Sequence, residues 1–197
     1  MGKGGIPARM SGHDIPPGWS YTPSAWRERL VLVGGALVGC GIAVYLALYQ
    51  LGVLTRVWEP FFGSGSRDVL RSGIARSLPF PDALLGAIGY LIEVVTGLIG
   101  GPHRWRTMPW VVLVYGLTVV GLGLVSLLLL IVQPVFLHAW CTLCLLSAAL
   151  SLSIVGPALD EVVASLHYLR RERRRGGSLW AILWGGGGHH DASARSE

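Results

Sequence analysis

Two sulfurs one helical turn apart, in Cys141-Thr-Leu-Cys144, form the most reactive arrangement in this sequence. Side chains at i and i+3 share one face of a helix, so this pair can close into a disulfide. A thiol in the first turn of a helix also gains thiolate character from the free N–H groups and dipole there. The chemistry indicated is thiol–disulfide exchange. Metal binding is the competing use, but the pair supplies only two ligands, and no second Cys/His pair stands at suitable spacing. Small-residue packing is a third use. The other cysteine, Cys40, stands between Gly39 and Gly41. It lies ~15 Å from either membrane face and reads as a small residue at a close helix crossing.

A second candidate is acidic. Gly86, Tyr90, Glu93 and Gly97 recur at offsets that make one helical stripe. Counting 1.5 Å per residue puts Tyr90 and Cys144 both ~10 Å deep and Glu93 ~15 Å deep. An ionisable group near the midplane costs several kcal/mol unless paired or protonated, which makes it a functional candidate by default. Glu93 reads either as a proton carrier or as a protonated carboxyl bonded to a neighbouring helix.

The elements that must position these residues follow from composition. Of 197 residues, 52% are hydrophobic and 14% charged, against roughly 25% charge in an average soluble domain. Mean hydropathy is +0.55. These values exclude a conventional water-soluble enzyme, a disordered chain and, with 3 Cys, a disulfide-stapled scaffold. Leu30–Leu54, Thr107–Leu137 and Ala139–Leu159 contain no Asp, Glu, Lys or Arg, and Ala83–Gly101 contains only Glu93. Each window can cross ~30 Å of hydrocarbon as a helix. The expected fold class is an all-α integral membrane protein, a four-transmembrane-helix bundle with a short amphipathic outer-loop helix. That loop helix is read from Trp58, Phe61, Phe62, Val69, Leu70 and Ile74. It either caps a pocket or anchors at the interface. Gly35-x-x-x-Gly39, Gly116, Gly121 and Gly123 are expected at close helix packing.

Basic residues set the orientation. Eleven Lys/Arg (Lys3 to Arg29, Arg104 and Arg106, Arg170 to Arg175) fall on one side and four (Arg56, Arg67, Arg71, Arg76) on the other. Both termini are therefore expected in the cytoplasm, with the Cys-x-x-Cys at the outer end of the fourth span. The first span is too long for a cleavable signal. Residues 1–25 are expected to be a flexible cytoplasmic N-terminus, 26–160 the membrane domain, and 161–197 a basic juxtamembrane helix with a flexible cytoplasmic tail. Asp82 is expected to cap the second span. Trp19, Tyr21 and Trp26 are expected at the headgroups, and LWAILW (179–184) at the interface. His189, His190 and Asp191 lack a fixed metal geometry. The Arg170–Arg175 run faces anionic lipid rather than nucleic acid. No nucleic-acid partner or metal is expected, and no polar stripe suggests a pore.

Three stretches resemble the vitamin K epoxide reductase family: WEPFFGSGSRDVLRS (58–72), LPFPDALLGAIGYL (78–91) and HAWCTLCLLSAAL (138–150). The likeness covers roughly residues 25–160. It implies a four-helix membrane oxidoreductase coupling disulfide chemistry to a quinone, ubiquinone or menaquinone. By position, Cys144 would address the quinone and Cys141 would exchange with a partner disulfide. Ser72 would match the family's loop serine, and Gly86 and Tyr90 the opening of helix two. Tyr90, Glu93 and Gly86 are then quinone-pocket candidates, with Glu93 or a water it holds supplying protons.

The chain departs from the family pattern at Ser66, where active members carry the second of two loop cysteines. No cysteine stands between Thr55 and Asp82. An internal relay through the loop is missing, because serine offers no thiolate. Two readings follow. A thiol-bearing partner, such as a secreted thioredoxin-like protein, attacks a Cys141–Cys144 disulfide directly. Alternatively, the chain is a non-catalytic membrane scaffold that keeps the bundle, with or without quinone or partner binding. The first makes it a membrane thiol–disulfide oxidoreductase, in the bacterial cytoplasmic membrane.

Overall fold

The computed structural model describes residues 24–73, 79–174, 176 and 178–184. Helices α1 (Trp26–Gln50), α3 (Asp82–Leu98), α5 (Pro109–Val132) and α6 (Thr142–Arg174) pack as one group. α1 lies along α3 and α5 along α6, while α3–α5 and α1–α6 contacts close the arrangement. Short helices α2 (Gly65–Leu70), α4 (Arg104–Thr107) and α7 (Leu179–Leu183) decorate its ends. No strand occurs among the described residues.

Local sequence explains the ends. α1 runs 25 residues without proline and stops where Gly52 turns left-handed at φ 79°. There the Val53 N–H reaches back to the Leu48 carbonyl, a Schellman-type termination. α5 starts with Pro109 at its first position, where a missing N–H costs nothing. It ends in a π-helical turn, Gln133–Leu137, because Pro134 cannot donate to the α ladder.

Among the described residues three helices are long and apolar enough to cross a membrane: Trp26–Gln50, Pro109–Leu137 and Thr142–Arg174. α3 is shorter, at 17 residues, or ~25 Å. Gly100, Gly101 and Pro102 end it at Leu98, short of the Gly101 limit of the apolar window. At its start Asp82 sits inside the helix, not at the cap. Its Oδ1 accepts the Ala83 N–H at 2.9 Å and the Gln50 side-chain amide. α6 continues unbroken through Pro157 and past Asp160 for 33 residues, with Glu161, Ala164, Ser165 and Leu169 buried.

The core between the four long helices is built on small residues facing large ones. A Cβ on Gly39 would lie 2.5 Å from the Tyr90 ring, and one on Gly116 or Gly123 would collide with Val162 or Val155. Gly121, by contrast, faces open space. Cys40 packs against this core, its sulfur 3.7 Å from the Ala87 carbonyl.

The end of the bundle where α3 stops carries charge inside it. Arg29 donates to the carbonyls of Gly97, Ile99 and Gly100, the last at 2.8 Å. Arg104 donates to Thr96, Gly97 and Ile99 carbonyls. Both cations thus satisfy the orphan carbonyls at the negative end of α3. Glu161 balances one of them and also accepts from Ser24. Trp26, in the expected aromatic belt, stacks on Arg29 at 4.3 Å. Trp19, Tyr21, Ile74 and the His189–Asp191 group lie outside the described residues.

Candidate redox site at the start of the cysteine helix

Cys141 and Cys144 are joined as a disulfide, their Cα atoms 5.2 Å apart. The Cys141 carbonyl accepts the Leu145 N–H at 2.9 Å, so Cys141 stands at the N-cap of α6. Its sulfur accepts the Cys144 N–H at 3.2 Å. That is the bond an N-cap oxygen usually makes to the third helical residue. A thiolate released at Cys141 would inherit a ready-made donor.

The turn that delivers Cys141 is held by one side chain. Gln133, 3% exposed in the π turn, accepts the Cys141 N–H on Oε1 at 2.9 Å. Its own carbonyl takes the Ala139 N–H at 3.3 Å, across a chain reversal with His138 left-handed at φ 48°.

The loop between α1 and α3 closes over this end. Glu59 accepts the Thr142 N–H at 3.1 Å on Oε2 and the Thr142 hydroxyl on Oε1. The Ser66 hydroxyl and the Phe61 and Phe62 N–H groups complete its ligands. Partial burial of the Glu59 carboxyl favours the neutral form, but hydrogen bonds from Ser66, Thr142 and Phe61 outweigh it and hold its pKa at about 2. Gly65 lies against the Trp140 carbonyl, 2.0 Å from where a Cβ would stand, so only glycine allows α2 this approach. Phe62 meets Trp140 with ring centroids 6.3 Å apart. Under this cover Cys141 has no exposed surface.

Cys144 is half-buried and opens on a cleft of about 40 Å³ lined by Val69, Leu70, Ser72, Asp82, Leu129, Val132, Gln133 and Leu137. A larger groove, about 440 Å³, runs along α1 between Val38, Gly41, Ile42, Tyr45, Trp58 and Leu143. It is almost wholly apolar in its residues.

Of the residues singled out in the sequence, Cys141, Cys144 and Ser72 come together, and Ser66 lies in the loop above them. Tyr90, Glu93 and Gly86 line neither cavity. Tyr90 is 2% exposed and its hydroxyl donates to the Ser147 carbonyl at 2.8 Å, within 2.9 Å of the Ser147 hydroxyl and 2.6 Å of the Ser151 hydroxyl. It therefore braces α3 against α6 one turn below Cys144. Glu93 is 1% exposed, and its Oε2 has no hydrogen-bond partner among the described residues. Gly86 faces Ala43 of α1 at ordinary contact distance.

Residue types and spacing did not single out Gln133, Glu59 or Thr142. Gln133 carried a local signal, being the one amide in the Thr107–Leu137 window and standing next to Pro134. Glu59 and Thr142 are 83 positions apart, and no local pattern couples them.

Residues 30–158, more than half of the chain, match the family model described as Vitamin K epoxide reductase family. None of the curated proteins matches the chain.

Proposed function

The chain belongs to the vitamin K epoxide reductase family, a family of membrane proteins, and on that premise we propose that it is a quinone-dependent thiol–disulfide oxidoreductase. The observation that carries this reading is the N-capping Cys141–Cys144 disulfide with Cys144 on the wall of a cleft it shares with Ser72.

Electrons enter at one sulfur and leave from the other. A thiolate on a secreted thioredoxin-like partner attacks Cys141 and releases Cys144 as the leaving thiolate. The partner's second thiol then resolves the mixed disulfide and leaves the Cys141–Cys144 pair reduced. The pair re-forms its disulfide by giving two electrons and two protons to a quinone, which becomes a quinol. The Cys144 cleft has apolar walls and three polar groups, Ser72, Asp82 and Gln133, the pattern of a small-molecule site. At about 40 Å³ it admits a quinone ring only if the cleft widens. Glu93, buried with an unpartnered oxygen in α3, is suited to hold a proton for this reduction.

On this reading α3 is the fourth crossing, both termini face the cytoplasm of a bacterial cell, and the cysteine end faces outward. The basic run at the end of α6 then lies against anionic lipid.

Complete burial of Cys141 beneath Glu59 and Ser66 favours a second reading, a non-catalytic scaffold. Dithiothreitol-driven quinone reduction by the purified protein separates the two. The enzyme reading predicts turnover that Cys141→Ser and Cys144→Ser each abolish. Absence of turnover with ubiquinone and menaquinone analogues alike supports the scaffold.

A further inference from the structure

We propose that Glu59 sets the reduction potential of the Cys141–Cys144 pair, acting as a positioning residue that places a fixed negative charge at the N-terminus of α6. The inference deepens the redox reading of the same pair and rests on it.

Two first-turn amides of α6 are committed to different groups. The Cys144 N–H points at the Cys141 sulfur at 3.2 Å, an arrangement that favours a thiolate there. The Thr142 N–H, one residue from Cys141, is taken by Glu59 at 3.1 Å. A carboxylate in that position opposes a second negative charge on the neighbouring sulfur. It also uses part of the positive end of the helix dipole that a thiolate would otherwise feel.

Glu59 is well suited to a permanent charge. It receives hydrogen bonds from the Ser66 and Thr142 hydroxyls and from three backbone amides. Such a donor set holds a carboxylate ionised at any physiological pH. Among the described residues its hydrogen-bond partners are all hydroxyls and amides, with no cation among them. The charge is thus localised but not neutralised.

The consequence follows from linkage. The disulfide is neutral, and the reduced pair carries the thiolate. Destabilising the thiolate destabilises the reduced form and lowers the reduction potential. A lower potential makes the pair a stronger donor to a quinone and a weaker acceptor from thiols.

The test equilibrates full-length protein in detergent at pH 8 with dithiothreitol redox buffers and reads the fraction of reduced pair by alkylation and mass. Glu59→Gln keeps the shape and removes the charge. It shifts the equilibrium about tenfold toward the dithiol, or ~30 mV for a two-electron couple. Asp68→Asn removes an acid of the same loop that pairs with Ser64 at 2.7 Å, and leaves the potential at the wild-type value. An E59Q potential equal to wild type, or an equal rise in D68N, overturns the proposal. Should E59Q not fold, Thr142→Val carries the test. It loosens the carboxylate and raises the potential by a smaller amount, and no rise overturns the idea. A wild-type pair that no dithiothreitol ratio reduces contradicts the redox reading itself, whereas a reducible pair insensitive to E59Q contradicts only this inference.

Discussion

Arg104 and Glu161, 57 residues apart in the chain, meet as a two-bond pair, Nε to Oε1 at 2.5 Å and Nη2 to Oε2 at 2.6 Å. Their side chains are 0% and 3% exposed. The parallel fork is the geometry in which guanidinium and carboxylate bond most strongly. Because Arg104 also holds the last carbonyls of α3, the pair joins three helices at one end of the bundle, opposite the cysteine site in sequence order along α6.

Breaking that pair from one side leaves a buried charge without its partner, a loss of about 3–5 kcal/mol. Glu161→Ala is expected to lower the thermal unfolding midpoint in detergent by many degrees. Arg104→Lys should recover little, since an ammonium cannot make the parallel fork. Unfolding midpoints within a degree of wild type for both variants would show that the pair contributes nothing.

Close packing at the glycines makes a sharper contrast. Gly39→Val drives a branched side chain into the Tyr90 ring, already 2.5 Å from the Cβ position. Overpacking of this kind costs about 1–3 kcal/mol. Gly121→Ala, with open space around it, is expected to be neutral. Equal stability of the two variants, read by the same unfolding assay, would contradict the packing described.

These two cases mark what the sequence discloses. Apolar windows, the Cys-x-x-Cys spacing and the small-residue positions are local patterns, and they recover the helices, the disulfide and most helix crossings. Arg29 and Arg104 read in the sequence as ordinary flanking charges, because nothing in a one-dimensional window says that they converge with Glu161 inside the bundle. Gly121 reads as a packing glycine for the converse reason: a helical glycine shows its type but not its facing partner, and here it has none within reach. The second span came out longer in the sequence than in the structure, since Gly100-Gly101-Pro102 end the helix inside an apolar window. At the site, Cys141 and Cys144 announce themselves, while Glu59 and Gln133 depend on contacts that only folding brings about.

Gln133→Leu tests the turn that delivers Cys141. The variant strands the buried Cys141 N–H, a loss of about 1–3 kcal/mol, and frees the reversal around His138. Reduction of the Cys141–Cys144 disulfide by a fixed concentration of dithiothreitol is expected to run several-fold faster than in wild type. An unchanged rate would mean that Gln133 does not restrain the site.

Acid should release the loop. The Glu59 carboxyl has its pKa at about 2 in the folded protein against 4.5 for the unperturbed group. Its contribution to loop docking is therefore complete above about pH 4.5 and is lost as the pH falls from there toward 2. Trp140 packs on Phe62 beneath this loop, so tryptophan fluorescence should change over that range. Glu59→Gln should flatten the change; a transition of the same size in the variant would assign the acid response to another group.

The central claim is that two neighbouring sulfurs trade electrons with a lipid-soluble acceptor. The direct measurement is a single turnover: reduce the full-length protein, remove the reductant, add a quinone, and quantify both alkylatable thiols and quinol. One quinol is expected for each Cys141–Cys144 disulfide regained. A pair that stays reduced in the presence of excess quinone, with no quinol formed, would contradict it.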